Sequence, residues 1–388
     1  MSVISNHQAW SRAQVEEIRG LWQRYDSQLV VAVLALMGLG LVMVASASIS
    51  IASRELGDPL YYFWRQSAYL VISLILMLAA TRIPLQVWRV ASPALLAIGA
   101  LMLMLVFVPG LGREVNGSMR WLKIGPVNLQ PSEPMKLFMV LYLAGYLVRR
   151  GELVRSTMGG FIRPMSMLAV IGVLLLFEPD YGATVVLFAT ALGMLFLGGV
   201  PFWSFVGWAA CVGVSMSVVV MTAPYRVERM LTFLNPWADP FGSGFQLTQA
   251  LIAIGSGEWL GVGLGSSVQK LFYLPEAHTD FLFAVLAEEL GMLGVLVVIL
   301  LFTFVVWRAI AIGARAEAAG HGYGAHLAYG IGLLIGLQAF VNIGVNMGIL
   351  PTKGLTLPLM SYGGSSLVIN GFAVGLVMRV DHELRRRG

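Results

Sequence analysis

The chain has 388 residues, of which 58% are hydrophobic and 12% are charged, and its net charge is +5. Soluble proteins carry about twice that charged fraction, and no soluble core could hide this much apolar side chain, so the composition excludes a soluble protein and predicts a membrane protein. The single cysteine excludes an internal disulfide, and the modest excess of Lys and Arg indicates cytoplasmic loops, with no nucleic acid as partner.

A polar N-terminal tail, residues 1–28, shows no cleavable signal sequence and is followed by ten apolar segments. We expect each segment to form a transmembrane helix, which gives an all-α, polytopic membrane domain over residues 29–379 and a short tail over residues 380–388. The segments are Leu29–Ala45, Ala68–Ala80, Val90–Val108, Met135–Val148, Met165–Phe177, Thr184–Leu197, Phe202–Val220, Phe281–Val306, His326–Leu350 and Leu367–Val377.

Basic residues predict the orientation. If the N-terminus is cytoplasmic, the short basic clusters all fall on the cytoplasmic side, and so do both termini; the clusters are Arg82/Arg89, Arg149/Arg150/Arg155, Arg308/Arg315 and Arg385/Arg386/Arg387. Two long loops, Pro109–Pro134 and 222–279, then lie outside. The second holds an amphipathic stretch, Phe245–Ile254, and a glycine-rich run, Gly255–Gly265, and its length predicts a folded, mobile lid over a site.

Charged residues mark the outer end of the fourth helix. The preceding loop carries Arg113, Arg120 and Lys123, and the helix itself opens with Glu133 and Lys136. A cation in the first turn of a helix is repelled by the partial positive charge of the helix N-terminus. The position of Lys136 therefore needs an explanation. Two alternatives stay open: a surface pair between Glu133 and Lys136, one turn apart, or a site that needs positive charge.

A second group of charges precedes and enters the eighth apolar segment. Glu276, His278 and Asp280 lie within five residues of one another. Either Thr279 or Asp280 merely caps the helix, or the three titratable groups belong to a site. Glu288 and Glu289 lie deeper, where unpaired carboxylates cost several kcal/mol. They therefore mark either a functional cavity or a salt bridge to a buried Lys or Arg.

Polar residues also open and line the last helices. The run Ser361–Ser366 opens the last helix, where free N–H groups form either a diphosphate site, with Ser361, Ser365 and Ser366 as candidate residues, or a plain helix entry. Three asparagines predict hydrogen bonds between helices; they are Asn342, Asn346 and Asn370. The sequence shows no Walker A motif and no zinc-type spacing, and Gly261–Gly265 lacks the βαβ context of a dinucleotide site.

These motifs resemble the SEDS family of shape, elongation, division and sporulation proteins from about Gln28 to Arg379. Within the family, Gly265–Asp280 and the Met360–Gly364 form are most similar to the division members. The matching stretches are Asn116–Lys123, Gln130–Lys136, Phe177–Gly182, Phe233–Pro240, Ala253–Gly257, Leu274–Gly291 and Pro358–Ser366.

The resemblance implies a ten-helix enzyme that polymerises lipid II into septal glycan strands at the outer face of the bacterial inner membrane. It also implies two partners, the class B penicillin-binding transpeptidase FtsI and the FtsQ–FtsL–FtsB subcomplex. The rival interpretations are a lipid II flippase, the elongation paralogue and a non-catalytic scaffold. A flippase needs polar groups through the whole membrane depth, whereas here they concentrate at the outer end.

Polymerisation needs a base for the attacking sugar hydroxyl and positive charge for the leaving undecaprenyl diphosphate. Asp280 matches the aspartate that serves as base in the family, and Glu276 is the alternative base or a metal ligand. A divalent cation, Mg²⁺ or Mn²⁺, is compatible with this chemistry, and no other cofactor is expected. The candidate cations are Arg113, Arg120, Lys123, Lys136, Arg226, Arg229, Lys270 and Lys353.

Overall fold

The structure is a computed structural model that describes residues 25–115, 118–125, 127–221, 232–271, 273–351 and 354–386. Arg226, Arg229 and Lys353 lie outside the described residues, as does most of the predicted N-terminal tail.

Each of the ten predicted apolar segments coincides with a long helix, so the predicted all-α membrane domain is confirmed. Six of the described helices are long and apolar enough by themselves to cross a bilayer. Of the others, neighbouring helices largely bury Ser132–Ser156, Tyr181–Leu197 and Gly364–Arg385. The helices are α1 Ser27–Leu56, α2 Tyr61–Arg82, α3 Leu85–Leu105, α4 Ser132–Ser156, α5 Met158–Phe177, α6 Tyr181–Leu197, α7 Phe202–Met221, α8 Phe245–Ser256, α9 Leu282–Ala318, α10 Gly322–Asn346 and α11 Gly364–Arg385.

The end of the bundle that carries both termini is held by ion pairs. Asp26 caps α1, accepting a hydrogen bond from the backbone N–H of Leu29 at 3.0 Å, and it also pairs with Arg308 of α9. Arg315 of α9 reaches Asp381 of α11 at 3.0 Å. These contacts tie three helices together at the end where the predicted orientation places the cytoplasm.

The first long loop folds into a three-stranded antiparallel sheet that the sequence analysis did not predict. Its strands are β1 Gly112–Val115, β2 Ser118–Ile124 and β3 Val127–Leu129, in the order β1-β2-β3. Alternate residues of a strand point to opposite faces. Leu122 is buried, and Arg120 shares its face and contacts the helical bundle, whereas Lys123 is exposed on the other face.

The second long loop is folded wherever the structure describes it. Its amphipathic stretch forms α8. The glycine-rich run that follows packs against α9 at Gly291, where that helix is broken with φ 65°. Two loop N–H groups, those of Val262 and Gly263, donate to the carbonyls of Glu288 and Glu289 at 3.0 and 3.1 Å. The loop thereby satisfies backbone groups that the broken helix leaves unpaired, as burial requires.

We expect Gly291→Ala to lower the thermal unfolding midpoint clearly, by the equivalent of about 2 kcal/mol or more. Its positive φ strains any L side chain, and an added Cβ would lie 2.4 Å from the backbone nitrogen of Gly261. The matched control is Gly207→Ala in α7, where an added Cβ meets nothing within 4 Å. Equal midpoints for the two variants would contradict this account of the helix break.

Candidate active site

Asp280 lies immediately before α9, and asparagines of α10 hold its backbone. Its carbonyl accepts hydrogen bonds from Nδ2 of Asn342 at 2.9 Å and Nδ2 of Asn346 at 3.0 Å. The N-cap residue of α9 is Phe281, and no side chain caps that helix. The alternative that Asp280 merely caps the helix is therefore wrong, because its carboxylate accepts no hydrogen bond from the first turn of α9.

The surroundings of Asp280 favour a base that works near neutral pH. Burial raises the pKa of Asp280 to about 7, the negative charge of Glu276 adds to the rise, and Arg120 opposes it. A Cβ built on Gly354 would lie 3.1 Å from Oδ2 of Asp280 and 3.8 Å from Nη1 of Arg120. Carboxylate and guanidinium thus face the same small space, which the absence of a side chain at Gly354 keeps open.

Arg120 links the sheet to the short connection between α5 and α6. Its guanidinium donates to the carbonyls of Glu178 and Pro179 at 3.2 and 2.6 Å. Asp180 follows, caps α6 through the N–H of Ala183 and accepts the hydroxyl of Ser132 at 2.9 Å. The Phe177–Gly182 motif, which the sequence analysis quoted without a role, therefore positions one wall of the site.

Glu178 is a functional candidate that sequence reasoning missed. Its side chain is fully buried, and neither carboxylate oxygen has a hydrogen-bond partner among the described residues. Burial raises its pKa to about 9, with a further rise from Asp180 and a lowering from Arg120. Glu178 is therefore neutral at pH 7 and leaves the positive charge of Arg120 available to a substrate.

We expect Glu178→Gln to stabilise the protein at pH 7 by about 1–3 kcal/mol. Because the folded-state pKa is raised above the ordinary value of 4.5, the contribution of Glu178 to stability is full below pH 4.5 and is lost as the pH rises towards 9. Glutamine carries no proton to lose. The unfolding midpoint of Glu178→Gln should therefore exceed that of the wild type by an amount that grows from pH 5 to pH 8. A difference that does not depend on pH would contradict the raised pKa of Glu178. The exposed Glu152→Gln change is the control.

Lys136 is fully buried in a polar network rather than on the surface. Its Nζ contacts Oε1 of Glu133 at 2.9 Å and Oε1 of Gln338 at 2.8 Å. The amide nitrogen of Gln338 reaches the carbonyl of Thr356 at 3.2 Å and the hydroxyl of Ser366 at 3.4 Å. The surface-pair alternative is wrong, and the role of Lys136 and Glu133 in a substrate cavity stays a prediction.

Lys270 is committed to a different partner. Its Nζ lies 2.7 Å from Oε1 of Glu289 and 3.0 Å from the hydroxyl of Ser46. Glu288 accepts hydrogen bonds from the Ser267 hydroxyl at 2.5 Å and the N–H of Val268 at 2.9 Å. The salt-bridge alternative for Glu289 is therefore confirmed, and the charge of Lys270 is already neutralised.

An aromatic cluster joins the Asp280 segment to the start of α11. The ring of His278 lies 4.5 Å from the ring of Tyr62 and 5.5 Å from that of Tyr362. Its carbonyl accepts the N–H of Tyr362 at 3.0 Å. Burial lowers the pKa of His278, although Glu276 opposes this, so His278 is neutral at pH 7 and serves packing. Glu276 accepts the hydroxyl of Thr279 at 2.6 Å.

The three predicted serines bond mainly within the protein. The hydroxyls of Ser361 and Ser365 accept from the N–H groups of Leu357 at 3.0 Å and Gln130 at 3.1 Å. Ser366 contacts Thr356, Gln338 and Asn370. These contacts brace the wall of the site, and a role for the serines in binding a diphosphate stays a prediction.

Among the described residues, the two remaining candidate cations do not converge on Asp280. Arg113 and Lys123 are exposed on the sheet. Among the described residues, no group of three or more His, Cys, Asp and Glu side chains is arranged to hold a metal ion. The divalent cation therefore stays a prediction.

The sequence resembles proteins of known family over nearly its whole length. It matches the family of cell cycle proteins named for FtsW, RodA and SpoVE over residues 27–386. It is 58% identical over 370 residues to the probable peptidoglycan glycosyltransferase FtsW of Nitrosococcus halophilus, covering 95% of each chain. It is 56% identical over 388 residues to the protein of the same name from Thioalkalivibrio sulfidiphilus, covering all of this chain and 97% of the relative.

Solved structures resemble the fold as well. One belongs to a peptidoglycan synthase complex that coordinates polymerization and crosslinking, with a TM-score of 0.76 at 30% identity, covering 93% of this chain and 98% of the other. The rod shape determining protein RodA of Thermus thermophilus superposes with a TM-score of 0.68 at 28% identity, covering 93% and 98% of the two chains. The predicted resemblance to the division members is confirmed by the sequence relatives.

Proposed function

The chain belongs to the FtsW, RodA and SpoVE family of cell cycle proteins, the SEDS family, and on that premise we propose that it polymerises lipid II into glycan strands. It is a multi-pass membrane enzyme, a peptidoglycan glycosyltransferase of the division type. One observation carries the assignment of the site: the Asp280 carboxylate, with a pKa of about 7, faces an open space beside Arg120 at one end of the bundle.

The proposed reaction uses Asp280 as general base. A sugar hydroxyl attacks the anomeric carbon of the donor while its proton passes to the Asp280 carboxylate. The new glycosidic bond forms as the bond from the anomeric carbon to the diphosphate oxygen breaks, and the lipid diphosphate leaves with the electron pair. Among the described cations, Arg120 faces the same space as Asp280, and it stabilises the charge on the leaving diphosphate.

A lipid II flippase is less well supported than an enzyme. A flippase needs polar side chains that line a path through the membrane. Glu288 and Glu289, the deep carboxylates, are occupied by Ser267, Lys270 and Ser46. Asn342 and Asn346 are occupied in holding the backbone of Asp280. These groups support the site at one end of the bundle rather than a polar path.

The partners and location follow from the same assignment. Its working partners are a class B penicillin-binding transpeptidase of the FtsI type, which crosslinks the strands, and the activating FtsQ–FtsL–FtsB subcomplex. The enzyme acts at the division septum, with both termini in the cytoplasm and Asp280 at the outer face of the inner membrane. The loop 222–279 closes over the site as a lid, supported by its length and its packing on α9.

The deciding experiment mixes the purified protein with lipid II in detergent, with and without the transpeptidase. An enzyme produces glycan strands that lysozyme digests. A flippase or a scaffold produces none, although a flippase would still move lipid II across vesicle membranes. Strand formation by the complex would identify the activity. Its loss in a variant that replaces Asp280 would identify the site.

A further inference from the structure

A row of three amide side chains runs along one face of α10. Gln338, Asn342 and Asn346 recur every four residues, a spacing that places them one above another on the helix, and all three are buried. Burying an amide costs free energy unless the amide is hydrogen-bonded. The partners of each amide therefore show what the row holds in place.

Asn342 joins two segments that are far apart along the chain. Its Nδ2 donates to the carbonyl of Asp280 at 2.9 Å and to the carbonyl of Leu355 at 2.5 Å. An amide nitrogen of asparagine carries two hydrogens, so these two contacts use both of them. One acceptor lies directly before α9 and the other between α10 and α11. A single side chain therefore sets the separation of the two segments.

The two segments form opposite walls of the space beside the Asp280 carboxylate. Gly354, whose missing side chain keeps that space open, directly precedes Leu355. The side chain of Leu355 packs on the start of α6, because a Cβ on Gly182 would lie 2.6 Å from its Cγ. The same connection before α6 accepts the hydrogen bonds of Arg120. Asn342 thus links the wall that carries the base to the wall that anchors the arginine.

The neighbouring amides each hold one wall in the part of the chain that the structure describes. Asn346 donates to the carbonyl of Asp280 at 3.0 Å, and its Oδ1 accepts the N–H of Ala284 in α9 at 3.2 Å. Gln338 instead donates to the carbonyl of Thr356 at 3.2 Å. The amide between them is the one that reaches both walls.

We propose that Asn342 is a positioning residue for strand formation, an inference that rests on the proposed function. It fixes the Asp280 carboxylate relative to the opposite wall, so that the attacking hydroxyl meets the base while the leaving diphosphate meets Arg120. Asn342 is buried and bonds only to backbone and to its own row, so it acts through Asp280 and does not touch the substrate. A misplacement of about 1 Å can cost on the order of 10²-fold in rate.

The test measures kcat and KM for strand formation from lipid II by the purified protein in complex with its transpeptidase. Asn342→Leu keeps the approximate size of the side chain but has no donor. We expect it to lower kcat about 10–100-fold and to leave the KM for lipid II within about twofold of the wild type. An unchanged kcat in folded Asn342→Leu protein would overturn the proposal.

A double-mutant cycle separates positioning of the base from a merely structural role. If Asn342 acts through Asp280, adding Asn342→Leu to Asp280→Asn should lower the residual rate by no more than about threefold. The same 10–100-fold loss in both backgrounds would show a structural effect and overturn the proposal. Normal strand formation by Asp280→Asn alone would instead overturn the proposed function, so the two failures are distinguishable.

The matched control is Tyr146→Phe, which also removes a buried donor to a backbone carbonyl. The Tyr146 hydroxyl donates to the carbonyl of Gly160 at 2.6 Å, about 21 Å along α4 from Ser132 at the helical rise. The control should lower the unfolding midpoint but leave kcat within about twofold of the wild type. An equal fall in kcat in the control would mean that lost stability explains the result, and it would overturn the proposal.

A second variant covers the case in which Asn342→Leu fails to fold. Asn342→Ser has a smaller side chain, which leaves room for water to hydrogen-bond the two carbonyls without holding them together. We expect it to fold and to lower kcat about tenfold or more, again with much less effect in the Asp280→Asn background. Wild-type kcat in Asn342→Ser would overturn the proposal.

Discussion

Purified Asp280→Asn protein, in complex with its transpeptidase partner, should form glycan strands from lipid II about 10²–10⁴-fold more slowly than the wild type. Asparagine keeps the size of the side chain but cannot accept the proton of the attacking hydroxyl. The change should spare the fold, because the contacts that hold this residue run through its backbone carbonyl to Asn342 and Asn346. Partner binding should therefore match that of the wild type. The unfolding midpoint should be at least as high, because asparagine carries no charge, whereas burial of the charge of Asp280 raises the pKa of that residue.

The pH dependence provides an independent readout for Asp280. A base must be ionised to act, so with a pKa of about 7 the rate should rise as the pH increases from 5.5 to 8. Glu276→Gln removes a negative charge that raises this pKa, so the rising limb should move to lower pH while turnover persists. If Glu276→Gln abolishes strand formation and Asp280→Asn does not, Glu276 is the base.

Lys136→Ala should abolish strand formation, and it should also destabilise the protein by about 3–5 kcal/mol. The change leaves the buried carboxylate of Glu133 without its cation, and Oε2 of Glu133 already has no hydrogen-bond partner in the described part of the chain. It also removes the ammonium that Gln338 contacts at 2.8 Å. Loss of activity by this variant alone therefore does not separate a substrate role from a structural one.

The double variant Glu133→Gln/Lys136→Met separates the two roles. It removes both buried charges and keeps similar side-chain volume, so its unfolding midpoint should lie near that of the wild type. If Lys136 serves the substrate, the double variant folds, binds its transpeptidase and still forms few strands from lipid II. Near-normal strand formation would show that the pair is structural and would defeat the predicted place of Lys136 in the substrate cavity.

Much of the fold was predictable because the bilayer imposes simple rules on a chain. Apolar segments of sufficient length must form helices, since lipid offers no partner to backbone N–H and C=O groups. The position of Asp280 directly before an apolar helix could also be predicted, because a charged residue beside an apolar segment is recognisable from neighbouring residues in the sequence.

The partner of each charge was decided by the tertiary structure. A carboxylate in an apolar helix, such as that of Glu289, must be solvated or paired with a cation. The sequence does not distinguish a polar cavity from a salt bridge. The choice depends on Lys270, 19 residues away along the chain, reaching it at 2.7 Å. The sheet Gly112–Leu129 was missed because its short strands lack a clear apolar alternation and are stabilised by pairing with one another.

The sequence by itself determined the membrane domain, the family and Asp280 as the proposed base. The three-dimensional packing alone decided that asparagines of α10 hold Asp280 and that Arg120 faces it. It also decided that Glu178 is buried with no hydrogen-bond partner among the described residues. The physical reason is that hydropathy is a local property of a segment, whereas desolvation and charge pairing depend on neighbours brought together from distant parts of the chain.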